Sequence, residues 1–62
     1  MGNLYHSDKE IVKIEHRELK TPQYGFTEII VNHHYDGSTS GYLANDPKQR
    51  SFNDVRESDL KK

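Results

Sequence analysis

The stretch FTEIIVNHHYDGSTSGYL, from Phe26 to Leu43, decides the fold. Apolar and β-branched residues flank Asp36-Gly37, and that dipeptide predicts a two-residue type I′ hairpin turn, since both central positions need a positive φ that Asp tolerates and Gly adopts freely. With Asp36 and Gly37 as the turn, Tyr35 faces Ser38, His33 faces Ser40, Val31 faces Tyr42 and Ile29 faces Ala44. The two-residue side-chain period then gathers Ile29, Val31, Tyr42 and Ala44 on a core face. Glu28, Ile30, Asn32, His34, Thr39 and Leu43 fall on the other face, where Ile30 and Leu43 ask for partial cover, as in a sheet curling towards a barrel. An open loop over Asp36 to Gly41 is the alternative, because Ser-Thr-Ser-Gly is also loop composition.

Working outward, Lys9 to Leu19 places Val12, Ile14 and His16 in alternation with Lys13, Glu15 and Arg17, which predicts a strand with the first set inward. Helical spacing would leave Val12 outside the apolar face, and the β-branched Ile-Val-Lys-Ile run prefers an extended chain. Lys20 to Gly25 reads as the break between strands, with Pro22 forcing Thr21 to be extended and Gly25 permitting a tight turn. Asn45 to Arg50 reads as a second turn, Asp46 accepting backbone donors and Pro47 taking the first central position. Ser51 to Lys62 is either helical or a short strand followed by a helical turn capped by Ser58, and both bury Phe52, Val55 and Leu60. Residues 1–8 are expected to be a mobile lead-in, and residues 9–62 a single small domain.

The expectation is an all-β chain, or a β-rich one with a short C-terminal helical turn, folded as a small antiparallel meander. This order of strands over Glu10 to Leu60 resembles the small open barrels of the Src-homology-3-like kind. The resemblance implies the fold alone, since the Ala-Leu-Tyr-Asp-Tyr-like run of the peptide-binding members is missing, and such a barrel serves many functions.

Sixty-two residues allow one domain, with a stability of roughly 3–5 kcal/mol and no more. There is no cysteine, so no disulfide, thiolate metal site or sulfur redox chemistry is expected. Apolar and charged residues are 31% each and the net charge is −1; that balance borders on disorder but lacks the self-repulsion of a charged coil. A homo-oligomer would add buried area to so small a core. No run is long enough to span a membrane, and the first residues lack the features of a signal peptide. His6 stands where N-myristoylation wants Ser or Thr, and no Asn-x-Ser/Thr sequon occurs. The expected location is the cytoplasm.

Four histidines raise the question of a metal site, because neutral imidazole is the commonest metal ligand. His33 and His34 point to opposite faces of a strand and cannot share one ion without a bulge, so a site would pair His16 with one of them, near Glu15 or Asp36. Metal binding through the histidines stands as a second alternative function, with no metal ligand and no cofactor assigned. Nor does a catalytic motif appear: Ser38, Thr39 and Ser40 offer hydroxyls without a pocket, and Gly37 to Gly41 lacks the lysine of a phosphate loop. Nucleic-acid binding could draw on Lys9, Lys13 and Arg17, on Lys48, Arg50 and Arg56, and on Tyr24, Tyr35 and Tyr42 as stacking groups. Acids interleave with these residues, and a pI near 6.4 gives no basic field. The favoured expectation is a small binding or regulatory protein acting on a protein partner through exposed strand edges, with Tyr24, His34, Tyr35, Arg17 and Arg50 as the candidate surface.

Overall fold

A computed structural model describes residues 7–62. Four strands form one open antiparallel sheet in the order of the chain: β1 (Ile11–Gln23), β2 (Phe26–His34), β3 (Thr39–Leu43) and β4 (Ser51–Asn53). A 3-10 turn at Glu57–Asp59 follows. Beyond it Leu60 forms a single bridge with Leu19 on β1, and the Lys61 N–H donates to the Glu18 carbonyl at 2.8 Å. The fold is therefore the expected β-rich meander, with strand first and helical turn second in the C-terminal segment. Ser58 lies inside that turn, whose N-cap position is Arg56 with no side-chain cap bond. Of the lead-in expected over residues 1–8, residues 1–6 lie outside the described residues. Ser7 and Asp8 are held: the Ser7 carbonyl accepts from Glu10 N–H, and the Asp8 carbonyl from Asp36 N–H, both at 3.0 Å.

The type I′ turn exists, but in the first hairpin. Gln23 pairs with Phe26, and between them Tyr24 (φ 52°) and Gly25 (φ 83°) both take the left-handed conformation. β1 accordingly does not break at Lys20. It runs on through Pro22, a residue whose missing donor is tolerated on an edge strand.

The central hairpin departs from the expected register by one residue. The Gly37 N–H donates to the His34 carbonyl, the His34 N–H donates to the Ser38 carbonyl, and Gly37 has φ 90° while Asp36 is not left-handed. This is a three-residue loop, Tyr35 to Gly37, of the kind in which a type I turn leads into a left-handed glycine. The extra loop residue pairs Ile29 with Leu43, Ile30 with Tyr42, Val31 with Gly41 and His33 with Thr39. Tyr42 is thus turned outward, and Leu43 takes the core position that the two-residue turn assigned to its neighbours.

β1 is reversed in the same way. Glu15 faces Val31 and Arg17 faces Ile29, so Glu15, Arg17 and Leu19 share the packed face, while Val12, Ile14 and His16 are exposed. A bulge at Val12, between the pairs Ile11–His34 and Lys13–His33, lets Ile11 and Ile14 fall on one side despite their three-residue spacing.

The core is Leu19, Ile29, Val31, Leu43 and Leu60, with Phe26, Phe52 and Val55 packed against it. Gly41 is part of that packing: a Cβ there would lie 2.9 Å from the Ile30 carbonyl oxygen and from Val55 Cγ2. The expected Asp46-Pro47 turn forms as read. Asp46 is buried, and its carboxylate accepts from the N–H groups of Lys48 and Arg50 and from the Arg50 guanidinium at 2.9 Å. Burial pushes the Asp46 carboxyl up, but these donors together hold it below the ordinary carboxylate value.

Candidate functional site

The packed face carries its own polar row. His33 Nε2–H donates to Glu15 Oε1 at 2.6 Å. Arg17 reaches both oxygens of Glu57 at 3.1 Å and the Lys61 carbonyl at 3.2 Å. The His33 bond holds the Glu15 carboxyl below its usual range, against the effect of burial and with help from Lys13 and Arg17. Arg17, with a side chain 20% exposed, stands opposite Ile29 in the register and ties the C-terminal segment to β1. Its place is structural, in the middle of the fold.

The other candidate residues separate to the two ends of β2. Tyr24 stands in the turn before it, and the Arg50 guanidinium lies 4.2 Å from the centre of the Tyr24 ring, a cation–π pair anchored through Asp46. His34 and Tyr35 stand after it. His34 Nδ1–H donates to the Lys9 carbonyl at 2.8 Å, and Nε2 shares a bond with the Ser40 hydroxyl at 2.8 Å. Beside them Asp36 accepts from the Ser38 hydroxyl and N–H and pairs with Lys9 at 3.1 Å. These bonds bring the Asp36 carboxyl down to about 2. Nine residues of β2 put roughly 30 Å between the two groups. Tyr24 with Arg50 and His34 with Tyr35 are two corners and do not form one patch.

Between the corners lies what the sequence reading did not select, the open face of the sheet. Ile11, Ile14 and Tyr42 are exposed, Ile14 at 64%, and Ile30 beside them is half-buried. Ile14 is in line with Asn32 and Ser40 across the strands, and His16 is in line with Ile30 and Tyr42. His16 Nε2–H donates to Glu28 Oε1 at 3.0 Å at the edge of this row. The signal was present in the sequence as Ile30 on the second face, but only the true register brings Tyr42 next to it and Leu43 away.

The three described histidines are dispersed: His33 is on the packed face, while His16 and His34 are on the open face with different partners. Among the described residues no three His, Asp or Glu side chains are grouped to hold a metal ion. On the packed side a half-open groove of about 390 Å³ runs between the end of β1 and the segment after β4. Leu19, Ile29, Phe52 and Val55 form its floor, and Lys20, Arg56, Asp54 and Asp59 its rim. No helix among the described residues is long and apolar enough to cross a membrane. Compared with known protein families, curated proteins and solved structures, the chain finds no match.

Proposed function

We propose that this chain is a small binding protein, without catalytic activity, that acts through protein–protein contacts made on the open face of its sheet. One observation carries the reading: Ile11, Ile14 and Tyr42 lie exposed on the same open face as half-buried Ile30, and exposed apolar side chains set among polar groups are the usual character of a contact surface. Asn32, Ser40, His16 and Glu28 are interspersed with them, Asn32 directly across from Ile14 and His16 directly across from Ile30. The Tyr24–Arg50 and His34–Tyr35 corners flank the face and extend it at either end. A chain without cysteine suits the reducing cytoplasm.

The test compares the yield of a partner captured from the native cell between two sets of variants. Ile14→Ser with Tyr42→Ser should reduce capture at least tenfold, whereas Tyr24→Ala with Tyr35→Ala should reduce it less. Undiminished capture by the first pair would remove the face from consideration. A nucleic-acid partner is the less favoured alternative, because Lys9, Lys13, Arg17 and Arg50 each lie against a carboxylate. It would show as nucleic acid in the captured material and as an affinity falling steeply with salt.

A further inference from the structure

Among the described residues, the outer edge of β1 between the Val12 bulge and Glu18 is a bare backbone ladder. On β2, the bonds from Ala44 N–H to the Glu28 carbonyl and from His34 N–H to the Ser38 carbonyl turn the even-numbered residues towards β3. The odd-numbered residues of β2 therefore bond β1, and their partners there are Lys13, Glu15 and Arg17. It follows that Ile14, His16 and Glu18 direct their N–H and C=O groups away from the sheet. Glu18 confirms the direction, since its outward carbonyl is the one that accepts from Lys61. The free ladder is bounded by that bond on one side and by the Val12 bulge on the other, and the residues between them with both outward groups free are Ile14 and His16.

We infer that β1 pairs edge to edge and antiparallel with β1 of a second copy of this chain, in the register that sets Ile14 against the partner's Ile14. The choice follows from the facing charges and from which outward backbone groups are still free. Outward groups must meet outward groups, which leaves three registers centred within the ladder. Centring on Glu15 sets Glu15 against the partner's Glu15 and Lys13 against the partner's Arg17, so every facing charge repels. Centring on His16 also opposes unlike charges, Glu15 against the partner's Arg17, but it brings Ile14 against the partner's Glu18, whose carbonyl is already engaged by Lys61. Centring on Ile14 sets Lys13 against the partner's Glu15 and, by the two-fold symmetry, Glu15 against the partner's Lys13. Those are non-hydrogen-bonded pairs, the class in which facing side chains are closest, while Ile14 forms the hydrogen-bonded pair on the axis. Val12 meets the partner's His16, and the bulge ends the ladder there. An exposed edge strand with no bonding partner is the ordinary template for such pairing. The product is one eight-stranded sheet in which the two open faces run together across the paired Ile14 side chains. The contact is made by backbone edges, so it is independent of whether another protein occupies the open face.

Light scattering over a concentration series reaching the millimolar range tests this. The wild-type chain should rise from 7.3 kDa towards twice that mass. Lys13→Glu and Glu15→Lys should each stay monomeric, because each sets like charges face to face, and an equimolar mixture of the two should regain the doubled mass, because every facing pair is then opposite. A wild-type chain that stays monomeric throughout, or a Lys13→Glu chain that still doubles its mass, overturns the proposal. Glu15→Lys also loses the bond to His33, so circular dichroism accompanies it, and a second measurement stands apart from it. The chain has no cysteine, so Ile14→Cys should oxidise to a disulfide-linked dimer much faster than Lys48→Cys. Equal rates would overturn the pairing.

Discussion

Truncating Leu43 and truncating Tyr42 should have opposite consequences to those that an Asp36-Gly37 two-residue turn dictates. Leu43 is 1% exposed and sits in the cluster with Leu19, Ile29, Val31 and Leu60. Leu43→Ala removes a fully buried side chain from a site that cannot collapse freely around Gly41, and such a loss is worth about 2–5 kcal/mol. A domain of this size commands roughly 3–5 kcal/mol in all. With ~4 kcal/mol available and ~3 removed, the unfolded fraction rises from about 0.1% to roughly 15%. Tyr42 is 39% exposed and faces Ile30 across the strand pair on the open side, so Tyr42→Ala should cost about 1 kcal/mol or less. Urea titration followed by circular dichroism measures both, with an unchanged slope showing that the unfolded states are comparable. If Tyr42→Ala destabilised the chain as much as Leu43→Ala, the register would be the one in which Val31 faces Tyr42, and the division into packed and open faces would fall.

The two remaining structural glycines and one turn acid give further expectations. Gly41→Ala should cost about 1–3 kcal/mol by overpacking, because the new Cβ meets the Ile30 carbonyl oxygen and Val55 Cγ2 at 2.9 Å and Ile29 Cδ1 at 3.1 Å; adding Val55→Ala should relieve only part of it, since the carbonyl stays, and full relief in a double-mutant cycle would refute that account. Gly25→Ala should cost about 1–2 kcal/mol purely through backbone strain, since φ is 83° and nothing lies within 4 Å of the added carbon; Gly25→Asn should cost clearly less, and equal losses would deny a left-handed turn. Asp36 has a folded value of about 2 against an ordinary 3.8. A depressed carboxyl stabilises above its unfolded value and loses that contribution as pH falls through the folded one, so the stability difference between wild type and Asp36→Asn should shrink from about pH 4 to pH 2. A difference that stays constant over that window would show that the Ser38 and Lys9 contacts do not hold the carboxylate.

Most of the architecture was readable because its determinants are local. Strand content followed from β-branched runs, and the Asp46-Pro47 turn formed as read because an Asp side chain can accept the N–H two residues on by itself. Register was different. Asp-Gly serves both a two-residue I′ turn and a three-residue loop ending in a left-handed glycine, and what fixes the longer loop here comes from elsewhere: the carbonyls of Glu10 and Asp8 accept the N–H groups of Tyr35 and Asp36 at 2.8 and 3.0 Å. No pattern within Phe26 to Leu43 contains that contact. Pro22 was misleading for a related reason, since a strand break and an edge-strand position look alike until the neighbours are known. Of the candidate surface, exposure at Tyr24 and Tyr35 was foreseen, but their separation depended on β2 running straight between them.

The reversal of β1 has a physical logic that a rule of apolar-in and polar-out does not capture. Were Ile14 and His16 turned inward, Glu15 and Arg17 would be solvated and Glu57 and the Lys61 carbonyl would lose the guanidinium that joins the C-terminal segment to the sheet. With Arg17 inward, opposite Ile29, its guanidinium reaches Glu57 and the Lys61 carbonyl and straps the C-terminal segment to the sheet. Glu15 and His33 satisfy each other on the same face, and among the described residues no buried side-chain polar atom lacks a partner. The isoleucines are then left outside, Ile11 at 47% and Ile14 at 64% exposure, so the folded monomer forgoes a good part of the roughly 1.5–3 kcal/mol that full burial of each would contribute. For a chain with only about 3–5 kcal/mol to lose, that forgone burial is a sizeable share of the whole stability, and the proposed pairing of β1 with a second copy is the arrangement that brings Ile14 against another apolar side chain without disturbing Arg17.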